Sequence, residues 1–272
     1  MANKTILKWA GSKVRIMEKL RPHLPKTKRL VEPFAGSCAV MMNTDYERYL
    51  VADVNQDLIS MYQVISEDPD TIDMAHYENL LMPENNNERV YYGTRSAFNL
   101  RNKPKWDQAW TFLYLNRLCF NGLCRYNKKG EFNVPYGKYK NPYFPEKEII
   151  SFVNKSRYAD IVCLEWQDTL SLVEDTDGIY CDPPYMAGRD SFTQYHTAGF
   201  TDADHEALAI ALKDINDNQG NPITVSNSPV AKTLYADLGF TIHEIEAPRT
   251  IAASGCRKAA KEIIAVLEGV KS

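Results

Sequence analysis

A chain of 272 residues can hold one large α/β domain with a smaller insert, and 44% hydrophobic content is ordinary globular composition. A formal net charge of −3 excludes indiscriminate nucleic-acid binding through bulk charge. No apolar run approaches the roughly 18–20 residues of a membrane span, the N-terminus does not read as a signal peptide, and six scattered cysteines without metal-ligand spacing argue against a zinc site or disulfide framework and for a reducing cytoplasm.

Leu7-Lys8-Trp9-Ala10-Gly11-Ser12-Lys13 combines an aromatic ring, small residues and lysines, and alone would read as a capped helix start. Ser12 to Arg21 reads as helical and basic on one side. Leu30-Val31-Glu32-Pro33-Phe34-Ala35-Gly36-Ser37 is a short apolar strand that breaks into a small-residue loop, followed by the helix-like Ala39-Val40-Met41-Met42. Tyr49-Leu50-Val51-Ala52-Asp53 is a second strand ending in a carboxylate. A tight loop after one strand and an acid after the next is the layout of nucleotide-type cofactor sites: the loop lets a ligand approach the backbone, and the acid takes ribose hydroxyls. The G-x-G-x-x-G fingerprint of NAD sites is absent.

From Asp57 to Leu118 apolar residues recur every three to four positions, as in Leu58-Ile59-Met61-Tyr62-Val64-Ile65 and Trp106-Trp110-Leu113-Tyr114-Leu118, and these stripes predict packed helices. A hairpin is expected next, turning at Asn127-Lys128-Lys129-Gly130. The window from Asn116 to Lys140 holds six basic residues against Glu131 alone, interleaved with aromatics and amides. Such a surface can neutralise phosphates and read base edges, although a charge run by itself is usually a solvated face. Strand–helix alternation resumes near Ile161, with strands around Ile179, Ile223 to Val225, Thr241 to Ile245 and Glu262 to Leu267. The expected architecture is therefore a doubly wound α/β sheet over residues 1–56 and 146–272, interrupted by a helical insert over 57–145 that carries the hairpin.

The strand Gly178 to Cys181 runs into Asp182-Pro183-Pro184-Tyr185. In open α/β sheets ligands bind at the carboxyl ends of the strands. The prolines stiffen the turn and donate no hydrogen bond, so it presents a carboxylate, bare carbonyls and an aromatic face. That set suits an amino group on an aromatic ring: Asp182 and the Pro183 carbonyl accept its two N–H hydrogens while Tyr185 stacks on the ring. Two acceptors so placed draw the nitrogen toward an attacking geometry without a strong base.

Glu-Pro-Phe-x-Gly resembles the S-adenosylmethionine loop of methyltransferases. Together, Lys-Trp-Ala-Gly-x-Lys, Glu-Pro-Phe-x-Gly with Ala-Asp-Val-Asn, and Asp-Pro-Pro-Tyr stand in the order and spacing of the Dam-type (D12 class) DNA adenine-N6 methyltransferases. The resemblance covers nearly the whole chain. It implies a Rossmann-like S-adenosylmethionine-dependent sheet with an inserted target-recognition region, acting on adenine N6 in double-stranded DNA at GATC by base flipping, with no metal, no membrane and no obligate protein partner. Trp9, Lys13, Glu32, Phe34, Gly36, Asp53 and Asp182 would line the cofactor site. Trp166, at the end of another strand, would either stack on the cofactor adenine or serve as a core tryptophan. Asp182, Pro183, Pro184 and Tyr185 would form the catalytic turn. In the hairpin region Phe120 is the expected wedge, and Arg125 a bidentate guanine or phosphate contact. Asn121, Leu123, Asn133, Pro135, Lys138 and Tyr139 are further site-reading residues, and Lys8 would help read the first guanine.

Two positions depart from the family pattern. Cys38 and Ser12 stand where a glycine is usual, and a cysteine would be strained if its position requires positive φ. His196 lies in a loop that could close over the target base or simply face solvent. Ser254-Gly255-Cys256-Arg257-Lys258 is either a phosphate contact or a surface turn. Three rivals remain: a glutamine-amide methyltransferase, whose turn begins with Asn rather than Asp; a cytosine-N4 methyltransferase; and a DNA-binding regulator with an idle site.

Overall fold

The computed structural model describes residues 2–67, 81–187, 200–247 and 260–269. Its frame is a seven-stranded sheet of β1 (Arg29–Glu32), β2 (Arg48–Asp53), β3 (Ala159–Cys163), β4 (Asp177–Cys181), β5 (Ile223–Asn227), β6 (Thr241–Ala247) and β7 (Ala260–Leu267), in the order β3-β2-β1-β4-β5-β7-β6. Every pairing from β3 through β5 is parallel, while β7 runs antiparallel to both β5 and β6. All of β4 and β5 is buried, which is why they read as unbroken apolar runs rather than as alternating strands.

Alternate side chains of one strand enter two different cores. Tyr180, Ile264 and Val266 join the first, and Ile179, Cys181, Ile263, Ala265 and Leu267 the second. The second core is closed by α6 (Trp166–Leu170), α7 (Asp202–Gln219) and α8 (Lys232–Asp237). Thr201 and Asp204 form a capping box at the start of α7, and Gly220 ends it at φ 81°. The first core takes α2 (Gln56–Glu67), α3 (Glu88–Asn99), α4 (Lys105–Leu118) and α5 (Glu146–Ser156). Residues Ala109 to Leu118 of α4 are buried all round, as expected of a helix apolar on every side. This is the doubly wound α/β architecture that the sequence predicts.

Between β2 and β3 the helices and the hairpin share one continuous core with the sheet, since Tyr91, Phe98, Phe112, Phe132 and Val134 pack in the same cluster as Leu30 and Tyr49. The stretch expected to form a helix from Ser12 to Arg21 is broken. A 3-10 turn at Lys13–Ile16 leads into α1 (Met17–Leu20) and a second 3-10 turn at Arg21–His23 that contains Pro22. The proline ring forbids continuation of the α-helical ladder.

Candidate active site

The sheet reverses winding between β1 and β4, and the two tight loops lie at the carboxyl ends of these neighbours. After β1, the Ala35 N–H donates to the Ala52 carbonyl at 2.8 Å, pressing the loop onto β2. The Gly36 N–H donates to Asp53 Oδ2 at 3.0 Å, and the Asn55 N–H to Oδ1 at 2.9 Å. Burial raises the Asp53 carboxyl above its ordinary range, and these two N–H donors pull it back. Gly36 sits at φ 48°, and a Cβ there would lie 2.8 Å from Trp9 Nε1, so only glycine lets the Trp9 indole lie against the loop. The Tyr62 hydroxyl closes the turn on the Gly36 carbonyl at 2.9 Å, and Ser37 Oγ donates to Ser12 Oγ at 2.9 Å. Half-buried Phe34 meets Phe200 edge-on at 5.7 Å.

Of the two positions where glycine was expected, Cys38 takes φ 56° while fully buried, and Ser12 sits at an ordinary φ of −52°. The strain is therefore confined to Cys38. Glu32, at the end of β1 and 2% exposed, accepts the Met41 N–H, and its Oε1 has no partner among the described residues. Burial pushes its carboxyl up to about 8, with the neighbouring charge of Asp182 adding to the shift.

After β4, Pro183 is buried and Pro184 exposed. Lys13 Nζ lies 2.7 Å from Asp182 Oδ2, donates to the Gly11 carbonyl at 2.7 Å, and stands 4.9 Å from the centroid of the Tyr185 ring. Asp182 Oδ1 is buried without a partner among the described residues. Burial raises the Asp182 carboxyl to about 6; Lys13 pulls it down and Glu262 pushes it up. The Tyr185 hydroxyl donates to Glu262 Oε2 at 2.7 Å. Burial and the charges of Asp182 and Glu262 hold this phenol protonated far above its usual range, so it acts as a donor. Among the described residues the site thus sets Asp53, Asp182 and Glu262 against the Lys13 ammonium, a surplus of negative charge suited to a cationic ligand.

The hairpin sorts its side chains by parity. Tyr126 pairs with Phe132, and the Asn133 N–H donates to the Arg125 carbonyl at 3.0 Å. Phe132 and Val134 point into the core, leaving Arg125, Asn133 and Pro135 on the outer face, while half-buried Leu123 packs against the first core. Arg125 Nε donates to Asn133 Oδ1 at 2.7 Å. Phe120 is 48% exposed in the 3-10 turn Phe120–Gly122, where Asn121 takes φ 56° and its N–H donates to the Tyr139 hydroxyl at 2.9 Å. Lys138 is exposed, also with positive φ.

Lys8 joins this surface. Asn116 bonds both its N–H, at 3.0 Å, and its carbonyl, at 2.8 Å. Its ammonium lies 3.4 Å from the centroid of the Tyr139 ring and donates to the Arg117 carbonyl at 3.0 Å. Burial, with the nearby Arg117 charge, lowers the Lys8 ammonium to about 8.

Trp166 is 8% exposed and packs with Leu170, Ile179 and Cys181 in the second core. His196 and Ser254 to Lys258 lie outside the described residues. Among the described residues no group of His, Cys, Asp or Glu could hold a metal, and no helix is long and apolar enough to cross a membrane. Sequence reasoning missed Glu262, Asn227 and Ser228, which reach the catalytic turn from β7 and from the end of β5. The only signal for Glu262 was a charge at the start of an apolar strand.

Residues 9–251 match the family model of the D12 class N6 adenine-specific DNA methyltransferases. The chain belongs to this family. Among curated relatives, the Retron Ec67 DNA adenine methylase of Escherichia coli is 49% identical over 266 residues, spanning 96% of this chain and 90% of the relative. The DNA adenine methylases of Salmonella typhi and of Escherichia coli strain K12 are each 40% identical, over 269 and 267 residues, spanning 98% and 97% of this chain and 96% and 95% of the relatives. Membership establishes an adenine methyltransferase of DNA that works with a methyl donor.

Proposed function

We propose that this chain transfers the methyl group of S-adenosyl-L-methionine to N6 of adenine in double-stranded DNA, at GATC, with the target base flipped out of the helix. The observation that carries this reading is Asp182 Oδ1: a buried carboxylate oxygen without a partner among the described residues, at the head of a turn whose prolines carry no N–H and whose tyrosine offers a ring face. A buried acceptor left open costs about 1–3 kcal/mol, so it fits a ligand that brings a donor.

The residues fit a sulfonium cofactor. The acid surplus suits its positive charge, the Gly36 loop has no Cβ in the way of close approach, and Asp53 keeps lone pairs for ribose hydroxyls beyond its two backbone donors. When bound, the cofactor supplies an electrophilic methyl on sulfur. Asp182 Oδ1 and the Pro183 carbonyl would accept the two N6 hydrogens, localising the nitrogen lone pair for attack as the N–CH3 bond forms and the S–CH3 bond breaks. Lys13 favours the ionised carboxylate that this role needs, and Oδ1 is placed to receive the proton that the methylated nitrogen must shed. Extruding a base costs a few kcal/mol; stacking on Tyr185 and insertion of the exposed Phe120 into the gap would offset it. Residues 57–145 would form the target-recognition insert between the catalytic segments 1–56 and 146–272. Arg125, Asn133 and Pro135 on its outer hairpin face would read bases, with half-buried Leu123 and Lys8, Asn121, Lys138 and Tyr139 beside them. Cytoplasm is the compartment such an enzyme would occupy.

The test is incubation of the purified chain with tritiated cofactor and unmethylated plasmid, followed by nucleoside analysis and mapping of the label. Label in N6-methyladenine within GATC is the expected result. Label in N4-methylcytosine, in protein or in no product overturns the reading, and label at another adenine site overturns the GATC assignment.

A further inference from the structure

The catalytic turn ends on Tyr185, whose ring is held on its face by Lys13 and at its rim by Glu262. The next peptide is held as well. The Met186 N–H donates to Asn227 Oδ1 at 3.1 Å, and Ser228 Oγ donates to the Met186 carbonyl at 2.7 Å. Glu262 reaches this point because β7 is the one reversed strand of the sheet: its first residues lie beside the last residues of β5, with Ile263 opposite Asn227. Strand parity puts Glu262 on the face of Ile264 and Val266, which is also the face of Tyr180 and so of Asp182.

A carboxylate here has a cost. It is partly buried, it repels Asp182, and among the described residues it forms no salt bridge. Packing alone would be served better by a neutral residue. What the charge contributes is a charge-assisted bond from the Tyr185 hydroxyl, roughly twice as strong as a neutral one. A tyrosine ring otherwise turns freely about two torsions, and stacking on a flipped base requires a fixed plane.

We propose that Glu262 is a positioning residue for methyl transfer, its carboxylate holding the Tyr185 hydroxyl so that the ring keeps the plane on which the target adenine stacks. This rests on the function proposed above. Glu262 acts through Tyr185 and does not touch substrate.

Single-turnover methyl transfer to a GATC duplex, with the duplex Kd measured in parallel, tests it in four proteins: wild type, Glu262→Ala, Glu262→Gln and Tyr185→Phe, together with the Ala/Phe double variant. Glu262→Ala should slow transfer about 10- to 100-fold, the worth of one hydrogen bond to a charged group, with the Kd for DNA changed less than about threefold because phosphates dominate it. Glu262→Gln keeps an acceptor oxygen without the charge and should recover part of the rate, leaving it between Glu262→Ala and wild type. Tyr185→Phe keeps the ring but loses the hydroxyl; it should match Glu262→Ala, and the double variant should be no slower than either single one. With 2-aminopurine at the target adenine, the emission of Glu262→Ala should differ from that of wild type and return in Glu262→Gln. Should Glu262→Ala fail to fold by thermal melting, Tyr185→Phe and Glu262→Gln break or keep the same bond and decide the matter. A rate within about twofold of wild type in Tyr185→Phe, or additive losses in the double variant, overturns the inference. A wild-type protein that labels no adenine overturns the proposed function instead.

Discussion

Lys13 and Asp182 face each other across the site at 2.7 Å, the ammonium 5% exposed and the carboxylate 21%. This pair sets the pH at which the catalytic turn can accept a hydrogen bond from an amine. Burial raises the Asp182 carboxyl to about 6, and Lys13 limits that rise. Only the ionised form can take up the proton that the methylated nitrogen sheds, so kcat/KM should fall as pH drops through about 6. In Lys13→Met the acid limb should move to higher pH, because the attraction that favoured ionisation is gone. A limb that stays in place in that variant would sink the assignment. Asp182→Ala should lower the transfer rate by about 10²–10³, with DNA affinity held within a few-fold.

Glu32 gives a stability signature rather than a catalytic one. Its folded value of about 8 lies above its ordinary 4.5, so folding favours the protonated acid. The contribution is fully present below 4.5 and is lost as pH rises to about 8. Glu32→Gln mimics the protonated acid and should remove that alkaline loss. Urea midpoints at pH 6 and 9 decide it: an equal decline in both proteins would show that the titrating group lies elsewhere.

Cys38 holds a left-handed backbone angle with a buried side chain. Cys38→Gly removes strain of about 1–2 kcal/mol but loses a buried thiol. Cys38→Ala loses the sulfur and keeps the strain, so thermal melting should rank Ala below Gly. The reverse order would mean that the angle costs little in this loop.

Arg125 should govern which base pairs are chosen. Its Nε donates to Asn133 Oδ1 and its Nη2 to the Asn133 carbonyl at 3.3 Å, leaving the remaining N–H donors of the exposed guanidinium for a guanine edge. Arg125→Ala should cut discrimination between GATC and single-base variants by about 1–3 kcal/mol. If it binds phosphate instead, all sequences should weaken together and the salt slope should drop by about one unit. Competition binding at two salt concentrations separates the two.

Much of this was legible in the sequence because local rules sufficed. The buried parallel strands announced themselves as apolar runs, the prolines after Asp182 marked a rigid turn, and Asn127-Lys128-Lys129-Gly130 marked the hairpin turn. What escaped was long-range. Nothing near Glu262 in the chain says that it will meet Tyr185, because that contact depends on β7 inserting, reversed, between β5 and β6. Asn227 looked like any polar residue at a strand end. The Lys13–Asp182 pair was likewise invisible, although each residue had been assigned to the site on its own.

The reversal of β7 also bears on when the protein can begin to work. Lys13, Asp182 and Glu262 come from early, middle and late segments, and the last of them arrives only when residues 260–267 slot in beside β5. A chain emerging from the ribosome at about 5–20 residues per second could pair β1, β2, β3 and β4 well before that strand exists. During that interval β5 would present an open edge and Tyr185 an unanchored ring. Synthesis itself thus acts as a timer, with the braced catalytic turn among the last parts of the fold to be completed.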